Sequence, residues 1–282
     1  MANTEELKKI CSQVRRDIIR MVASVQSGHP GGSLGCVEYF VAQYFHNLKH
    51  NPAKFSMDGR DEDLFFLSNG HISPVFYSVL SRSGYFPAAE LATFRRLNTR
   101  LQGHPGTHDG LPGVRMASGS LGQGLSVALG AAQTKKLNKD KSLVYSLHGD
   151  GELQEGQIWE AAIYGAHYKI DNIISAVDYN GRQIDGDVEN VMSLGDLAAK
   201  WKAFGWEVFT VEKGNDIDAV IAGLEHAKTL TGKGKPVMML LKTEMGMGVD
   251  YMMGTHKWHG SAPNADQTEK ALAQLEETLG DY

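Results

Sequence analysis

Two short motifs place hard oxygen donors beside glycine. Gly149-Asp150-Gly151 carries a carboxylate between two residues without side chains, and Asp178-Tyr179-Asn180-Gly181 carries the side-chain carbonyl of Asn180. Carboxylate and amide oxygens suit a hard divalent cation, and glycine lets backbone approach an anion closely. Two such ligands do not fill an octahedron unless a diphosphate supplies further oxygens. A helix opening near Glu152 offers free N–H groups to that phosphate. Together the motifs read as a Mg2+–diphosphate clamp. Taken singly, each is equally a plain turn, and the clamp rests on both falling at successive strand ends.

A glycine-rich helix start, Gly119-Ser120-Leu121-Gly122-Gln123-Gly124, offers a cradle for phosphate or for a flat ring, or else a close-packing device. His29, His71, His104, His108, His256 and His259 all lie in loops containing Gly or Pro. Imidazoles titrate near neutral pH, so such a group suits proton handling on a hydroxyl-rich substrate. Zinc on His104 and His108 is the competing reading, but no nearby Cys or His completes four ligands.

The elements that must position these residues follow from hydrophobic periodicity. Asn3 to Ser27 reads as a helix with a capping box at Asn3 and Glu6, and Leu34 to His46 as a second helix capped by Ser33. Leu64 to Leu67 reads as a strand, and helices follow at Pro74–Ser81 and Pro87–Leu97. Arg100 to Ser118 has no period, which in a compact chain marks a functional loop. Beyond it strands at Leu143–Leu147, Ile173–Val177, Glu207–Val211 and Val237–Leu241 alternate with helices at Leu121–Leu137, Leu153–Tyr168, Leu194–Phe204 and Ile217–Leu230. A helix at Ala265–Leu279 closes the chain. Uninterrupted apolar strands alternating with helices predict an α/β fold, a parallel sheet covered on both faces, with an N-terminal helical elaboration. No linker or repeat interrupts residues 1–282, so a single domain is expected.

Composition narrows the function class. The 282 residues are 42% hydrophobic and 22% charged, as in ordinary globular chains. Net charge is -5 and no Lys/Arg run is present, which argues against nucleic acid as a partner. No apolar stretch reaches membrane-spanning length, and the N-terminus lacks a signal-peptide pattern. Cys11 and Cys36 are too few for a disulfide framework, so a cytoplasmic location is expected.

Seven segments in order carry a family resemblance: SGHPGG from Ser27, SNGH from Ser68, GHP from Gly103, SGSLGQGLSVALG from Ser118, HGDGELQEGQIWEA from His148, DYNGRQIDG from Asp178 and HKWHGSAP from His256. They resemble the thiamine-diphosphate-binding half of transketolase across nearly the whole chain. The resemblance implies the diphosphate-binding fold. It implies that Asp150, the Asn180 side chain and the backbone carbonyl of Arg182 bind Mg2+, or Ca2+ or Mn2+ in its place. On the same resemblance Gly151 would face the diphosphate, His71 and His259 would contact the cofactor on its phosphate side, and Gly119, Ser120 and Leu121 would lie against the aminopyrimidine. His29, His104 and His259 line the channel where sugar hydroxyls are held and protons moved. Glu155 resembles an inter-subunit contact near the cofactor.

The activity implied is transfer of a two-carbon ketol group from a ketose phosphate to an aldose. The spelling DYNGRQIDG is closest to the short, two-gene bacterial transketolases. After HGSAP one short helix remains, with no room for the pyrimidine-binding and C-terminal domains or for the Glu that engages the aminopyrimidine. A separate C-terminal subunit, in an α2β2 assembly, is therefore expected. Gly106 stands where long transketolases carry Glu, and Tyr179 where Asp is common. The alternatives are a transketolase for an unusual ketose, a deoxyxylulose-phosphate synthase, one chain of a 2-oxo-acid dehydrogenase and a non-catalytic cofactor-binding protein.

Overall fold

The computed structural model describes residues 3–282; Met1 and Ala2, at the head of the expected domain, lie outside it. Helix α1 (Thr4–Val25) starts with the expected capping box and ends at Gln26, whose φ is 50°. The expected helix from Leu34 to His46 is instead three pieces: α2 (Pro30–Gly35), α3 (Val37–Ala42) and a π turn at Gln43–Asn47. Pro30 starts α2 early because its fixed φ suits a first helical turn and its missing N–H is not needed there. Ser33 is therefore inside the helix, where its hydroxyl donates to the His29 carbonyl at 2.7 Å.

Strand β1 (Leu64–Leu67) and helix α4 (Ser73–Arg82) follow as expected. The segment from Pro87 yields only a 3-10 turn, Ala88–Thr93, because Arg95 and Asn98 take left-handed backbone at φ 54° and 59°. Residues 100–118 hold one 3-10 turn, Thr107–Asp109. Helix α5 (Gly124–Leu137) begins later than expected, after Gly122 turns at φ 83°. Strand β2 (Val144–Gly149) runs into a 3-10 turn, Gly151–Gln154, and Glu155 separates that turn from α6 (Gly156–His167).

Strand β3 (Ile173–Tyr179) leads to a two-stranded ribbon that the hydrophobic pattern does not predict, β4 (Arg182–Gln183) paired with β5 (Gly186–Asp187). Then come α7 (Val188–Met192), α8 (Leu197–Ala203), β6 (Glu207–Val211), α9 (Ile217–Leu230), β7 (Val237–Lys242) and α10 (Ala265–Gln274). The last helix stops short of Leu279 because the tail folds back on α1. Arg16 donates to the Leu272 and Leu275 carbonyls, and Arg16 and Arg20 both pair with Asp281.

The five-stranded sheet is parallel throughout, in the order β1-β2-β3-β7-β6. Alternate strand residues feed two cores. Phe65, Leu147 and Met239 pack under the α1, α3, α4 and α9 side, and Phe66, Val144 and Met238 under the α5, α6 and α8 side. Burial on both faces explains the unbroken apolar runs. No helix among the described residues is long and apolar enough to cross a membrane. In a parallel sheet every strand delivers its carboxyl end to one edge, and the order reverses there between β3 and β7.

One buried ion pair ties the helical layer together. Asp17 of α1 is fully buried, accepts from Arg82 at 2.8 and 2.9 Å, and accepts from Ser78 at 2.8 Å. Replacing Arg82 by Met leaves that carboxylate without its counter-ion, which costs about 3–5 kcal/mol. Urea unfolding of Arg82→Met is expected to show a midpoint lowered accordingly, and an unshifted midpoint contradicts the assignment.

Candidate functional site

A cavity of about 390 Å3 opens at the carboxyl edge of the sheet. Asn69 and His71 reach it from the loop after β1, residues 149–152 from the end of β2, and Asp178 and Asn180 from the end of β3. Met245 follows β7, and much of the remaining wall comes from His29, His104, Gly119, Leu121, Glu155, residues 182–184 and His259. The structure thus brings together every site residue that the family resemblance implies except Ser120, which is exposed and does not line the cavity. His108 points to solvent beside Asp109, and neither it nor His256 lines the cavity. The zinc reading falls with His108, and no three metal-ligating side chains among the described residues gather into a site.

Asp150 is almost fully buried at the tip of β2. Its two oxygens accept from the backbone N–H groups of Gly151 at 2.7 Å and Gly181 at 2.5 Å. Burial pushes its carboxyl up to about 7, and the neighbouring Asp178 carboxylate adds to the rise. Asp178 is also buried, which raises its own pKa against hydrogen bonds from Thr243, Cys36 and Asn180. Asn180 donates its amide to Asp178 at 2.8 Å, and this fixes which end is oxygen. Its Oδ1 accepts from the Arg182 N–H at 2.8 Å and retains a lone pair. The set is one carboxylate, one oriented amide oxygen and adjacent backbone, with no cation of its own.

The same cavity holds four imidazoles. The His29 ring lies 5.2 Å from His71, 6.0 Å from His104 and 5.7 Å from His259, and His71 lies 4.9 Å from His259. Burial is the first cause in lowering all four pKa values. His29 falls to about 4 with help from His259, Arg95 and His104; His71 falls well below its ordinary value; His104 and His259 are also lowered. At neutral pH these rings are uncharged, each with one donor and one acceptor nitrogen.

Several buried polar atoms in this cavity have no partner: Nδ1 of His29 and of His259, both amide atoms of Asn69, and Oε1 of Gln183. Such atoms are rare in a folded protein and call for a polar ligand. Bare backbone at Gly119, Gly149 and Gly151 leaves the floor open, and a Cβ at Gly151 would press on Gln183 at 3.2 Å. The donors therefore fit a divalent cation whose remaining ligands arrive with a diphosphate, flanked by neutral hydrogen-bonding groups.

Glu152, whose side chain no sequence motif singles out, ties three loops together. Its buried carboxylate accepts from Ser68 Oγ after β1, from Gly122 N–H at 2.8 Å before α5, and from Gly149 N–H at 3.0 Å at the end of β2. His148 Nδ1 stands 3.9 Å away. Burial pushes the Glu152 carboxyl up, but His148, Ser68 and Gly122 outweigh it and hold it below its ordinary value. Gly124 must be glycine here because a Cβ would collide with Ser68. An acid following GDG was the only available signal, and a solvated helix start explains it equally well.

The family described as "Transketolase, thiamine diphosphate binding domain" matches residues 7–280. An apulose-4-phosphate transketolase subunit of Actinobacillus succinogenes is 37% identical over 274 residues, covering 97% of each chain. A 6-deoxy-6-sulfo-D-fructose transketolase subunit of a Clostridium species is 35% identical over 96% of each chain. Among solved structures, the transketolase of Campylobacter jejuni superposes with a TM-score of 0.88 at 33% identity, covering 97% of this chain and 43% of that one. The transketolase of Leishmania mexicana gives 0.88 at 28% identity, covering 100% and 42%. With the family matched along nearly its whole length, the chain belongs to the transketolases, as their thiamine-diphosphate-binding domain.

Proposed function

We propose that this chain is the N-terminal subunit of a split, two-chain transketolase, its residues 1–282 forming one cofactor-binding domain. The enzyme would transfer a two-carbon ketol group from a ketose phosphate to an aldose. One juxtaposition carries the reading: the oxygen clamp of Asp150 and Asn180 and the neutral His29, His71, His104 and His259 open on the same cavity. The cofactors are thiamine diphosphate with Mg2+, or Ca2+ or Mn2+ in its place. Thiamine diphosphate, when bound, supplies the carbanion chemistry of the reaction.

The protein binds, orients and moves protons. Asp150, the Asn180 Oδ1 and the Arg182 carbonyl take the cation, and Gly151 faces the diphosphate. His71 and His259 stand on the phosphate side, and Gly119 and Leu121 receive the aminopyrimidine. His29, His104 and His259 hold sugar hydroxyls. Nδ1 of His29 and of His259 is buried without a partner, so each offers a nitrogen to a substrate proton or hydroxyl.

The end-to-end match to relatives named as transketolase subunits supports a separate partner chain, since this chain spans only about two-fifths of the full-length transketolases. That partner would supply the pyrimidine-binding and C-terminal domains, in an α2β2 assembly. Exposed Val127 on α5 and Ile163 and Tyr164 on α6 support a contact surface on those helices, and Glu155 a contact at the cavity. Free Cys11 and Cys36 accord with a reducing cytoplasm. The relatives' names point to unusual ketoses, so apulose 4-phosphate and 6-deoxy-6-sulfo-D-fructose belong in the assay beside xylulose 5-phosphate.

Ketol transfer by the chain mixed with its C-terminal partner is the decisive measurement. The mixture is expected to turn over and the single chain to be inactive; substantial turnover by the single chain rejects the split-enzyme reading. Calorimetry with thiamine diphosphate and Mg2+ should find binding abolished in Asp150→Ala and retained in His29→Ala and His104→Ala, in which ketol transfer is reduced instead. Undiminished affinity in Asp150→Ala rejects the clamp.

The Asp150 carboxyl also makes a pH prediction for the cofactor-free chain. Its folded pKa, about 7, lies above the ordinary 3.8, so its contribution to stability is complete below about pH 4 and is lost as pH rises through about 7. Asp150→Asn cannot ionise. Between about pH 5 and about pH 8 the wild type is expected to lose more thermal stability than this variant, read by scanning fluorimetry. Parallel curves contradict it.

A further inference from the structure

One cation stands behind the histidine cluster. Arg95 follows the 3-10 turn at Ala88–Thr93 and adopts φ 54°, a backbone that costs a non-glycine residue free energy. Its N–H donates to the Leu101 carbonyl at 2.8 Å and closes the loop between them. The side chain then enters the gap between two other loops. Nη1 donates to Ser27 Oγ at 2.9 Å, two residues before His29. The guanidinium lies on the bare Cα of Gly103, where a Cβ would come within 2.6 Å of Cζ and 2.8 Å of Nε and Nη2. Gly103 directly precedes His104. The Phe94 ring centre is 5.6 Å from Cζ.

Nε and Nη2 are buried and have no hydrogen-bond partner. Burial lowers the Arg95 pKa and only Tyr77 opposes it, yet a guanidinium remains charged at any physiological pH. Arg95 is half-buried, and two of its nitrogens are cut off from water without a partner or a counter-ion, which is costly, whereas an apolar side chain would fill the gap without that cost. The charge is therefore the feature to explain. The titratable and charged groups facing His29 are His71, His104, His259 and Arg95, and Arg95 also faces His104. Further out, Asp185 faces His259 and Asp109 faces Tyr77.

We propose that Arg95 is a positioning residue: it clamps the Ser27–His29 loop to the Gly103–His104 loop and presents an uncompensated positive charge to both imidazoles. A fixed cation beside an imidazole disfavours the imidazolium. Burial is the larger cause of the depression at His29 and His104, and Arg95 reinforces it at both. The rings then keep an acceptor nitrogen at neutral pH, which is the form that can take a substrate proton. That last consequence rests on the transketolase reading; the clamp and its field do not.

The test reads proton affinities directly. Histidine Cε1–H signals of the full chain are titrated by NMR in the wild type, Arg95→Met, Arg95→Gln and Arg95→Lys, with His29→Gln and His104→Gln for assignment. In Arg95→Met the proton affinities of His29 and His104 are expected to rise about tenfold. His167, on α6, should not move. Arg95→Lys should restore the wild-type titrations, and Arg95→Gln, which keeps a donor for Ser27 without charge, should behave as Met does; it also replaces Met if that variant does not fold. Unchanged titrations in the uncharged variants overturn the proposal. With the partner chain present, the acid limb of the pH profile of ketol transfer should move upward in the same variants. If the NMR shifts appear and the complex transfers no ketol group, the activity reading fails while the role of Arg95 stands.

Discussion

A carboxylate buried at a strand end is unfavourable unless something compensates it. The folded chain offers Asp150 only two backbone N–H groups, from Gly151 and Gly181, and sets a second buried acid, Asp178, beside it. Among the described residues no salt bridge reaches either carboxylate, and Arg182, which lines the same cavity, pairs with Asp187 instead. A divalent cation neutralises the pair, and its preference for further oxygen ligands extends the site to a diphosphate. Asp178 also has a constructive part: by holding the Asn180 amide nitrogen it leaves the Asn180 oxygen for a cation. The electrostatic cost at the end of β2 is thus the constraint around which the site is organised.

That constraint can be met only if the loops stay in place without ligand. Glu152 joins the loops after β1, before α5 and at the end of β2 through one buried carboxylate, and bare Gly124 lets Ser68 close the contact. Glu152 takes three protein donors from three loops, whereas Asp150 takes two backbone N–H groups and sits beside a second buried acid. Two neighbouring acids therefore divide the work between holding the loops and holding the ligand. The histidine wall is built on the opposite principle. Its four imidazoles are crowded and partly desolvated, so they stay neutral and present donors and acceptors instead of charge.

Much of this was legible in the chain. The capping box at Asn3 and Glu6, the unbroken apolar strands and the oxygen donors after two of them are local features, and all hold in the structure. The expectations that failed had two causes, local backbone chemistry that the period does not show and contacts with distant segments. Ser33 does not cap a helix because Pro30 starts one first, and α10 ends at Gln274 because Arg16 and Arg20 draw the tail onto α1. Ser120 faces solvent between two cavity-lining neighbours, a side-chain direction that an aperiodic loop does not announce.

By itself the sequence determined the α/β class, the parallel sheet and the presence of GDG and an Asn at successive strand ends, because period and residue chemistry are local properties. It also showed histidines scattered over loops far apart in the chain. Only the tertiary structure decided that His29, His71, His104 and His259 meet while His108 and His256 do not. It alone gave Glu152 three loops to join and set Arg95 behind two of the histidines. The physical reason is that desolvation and charge proximity depend on what surrounds a group in space, and residues far apart in sequence supply most of those surroundings.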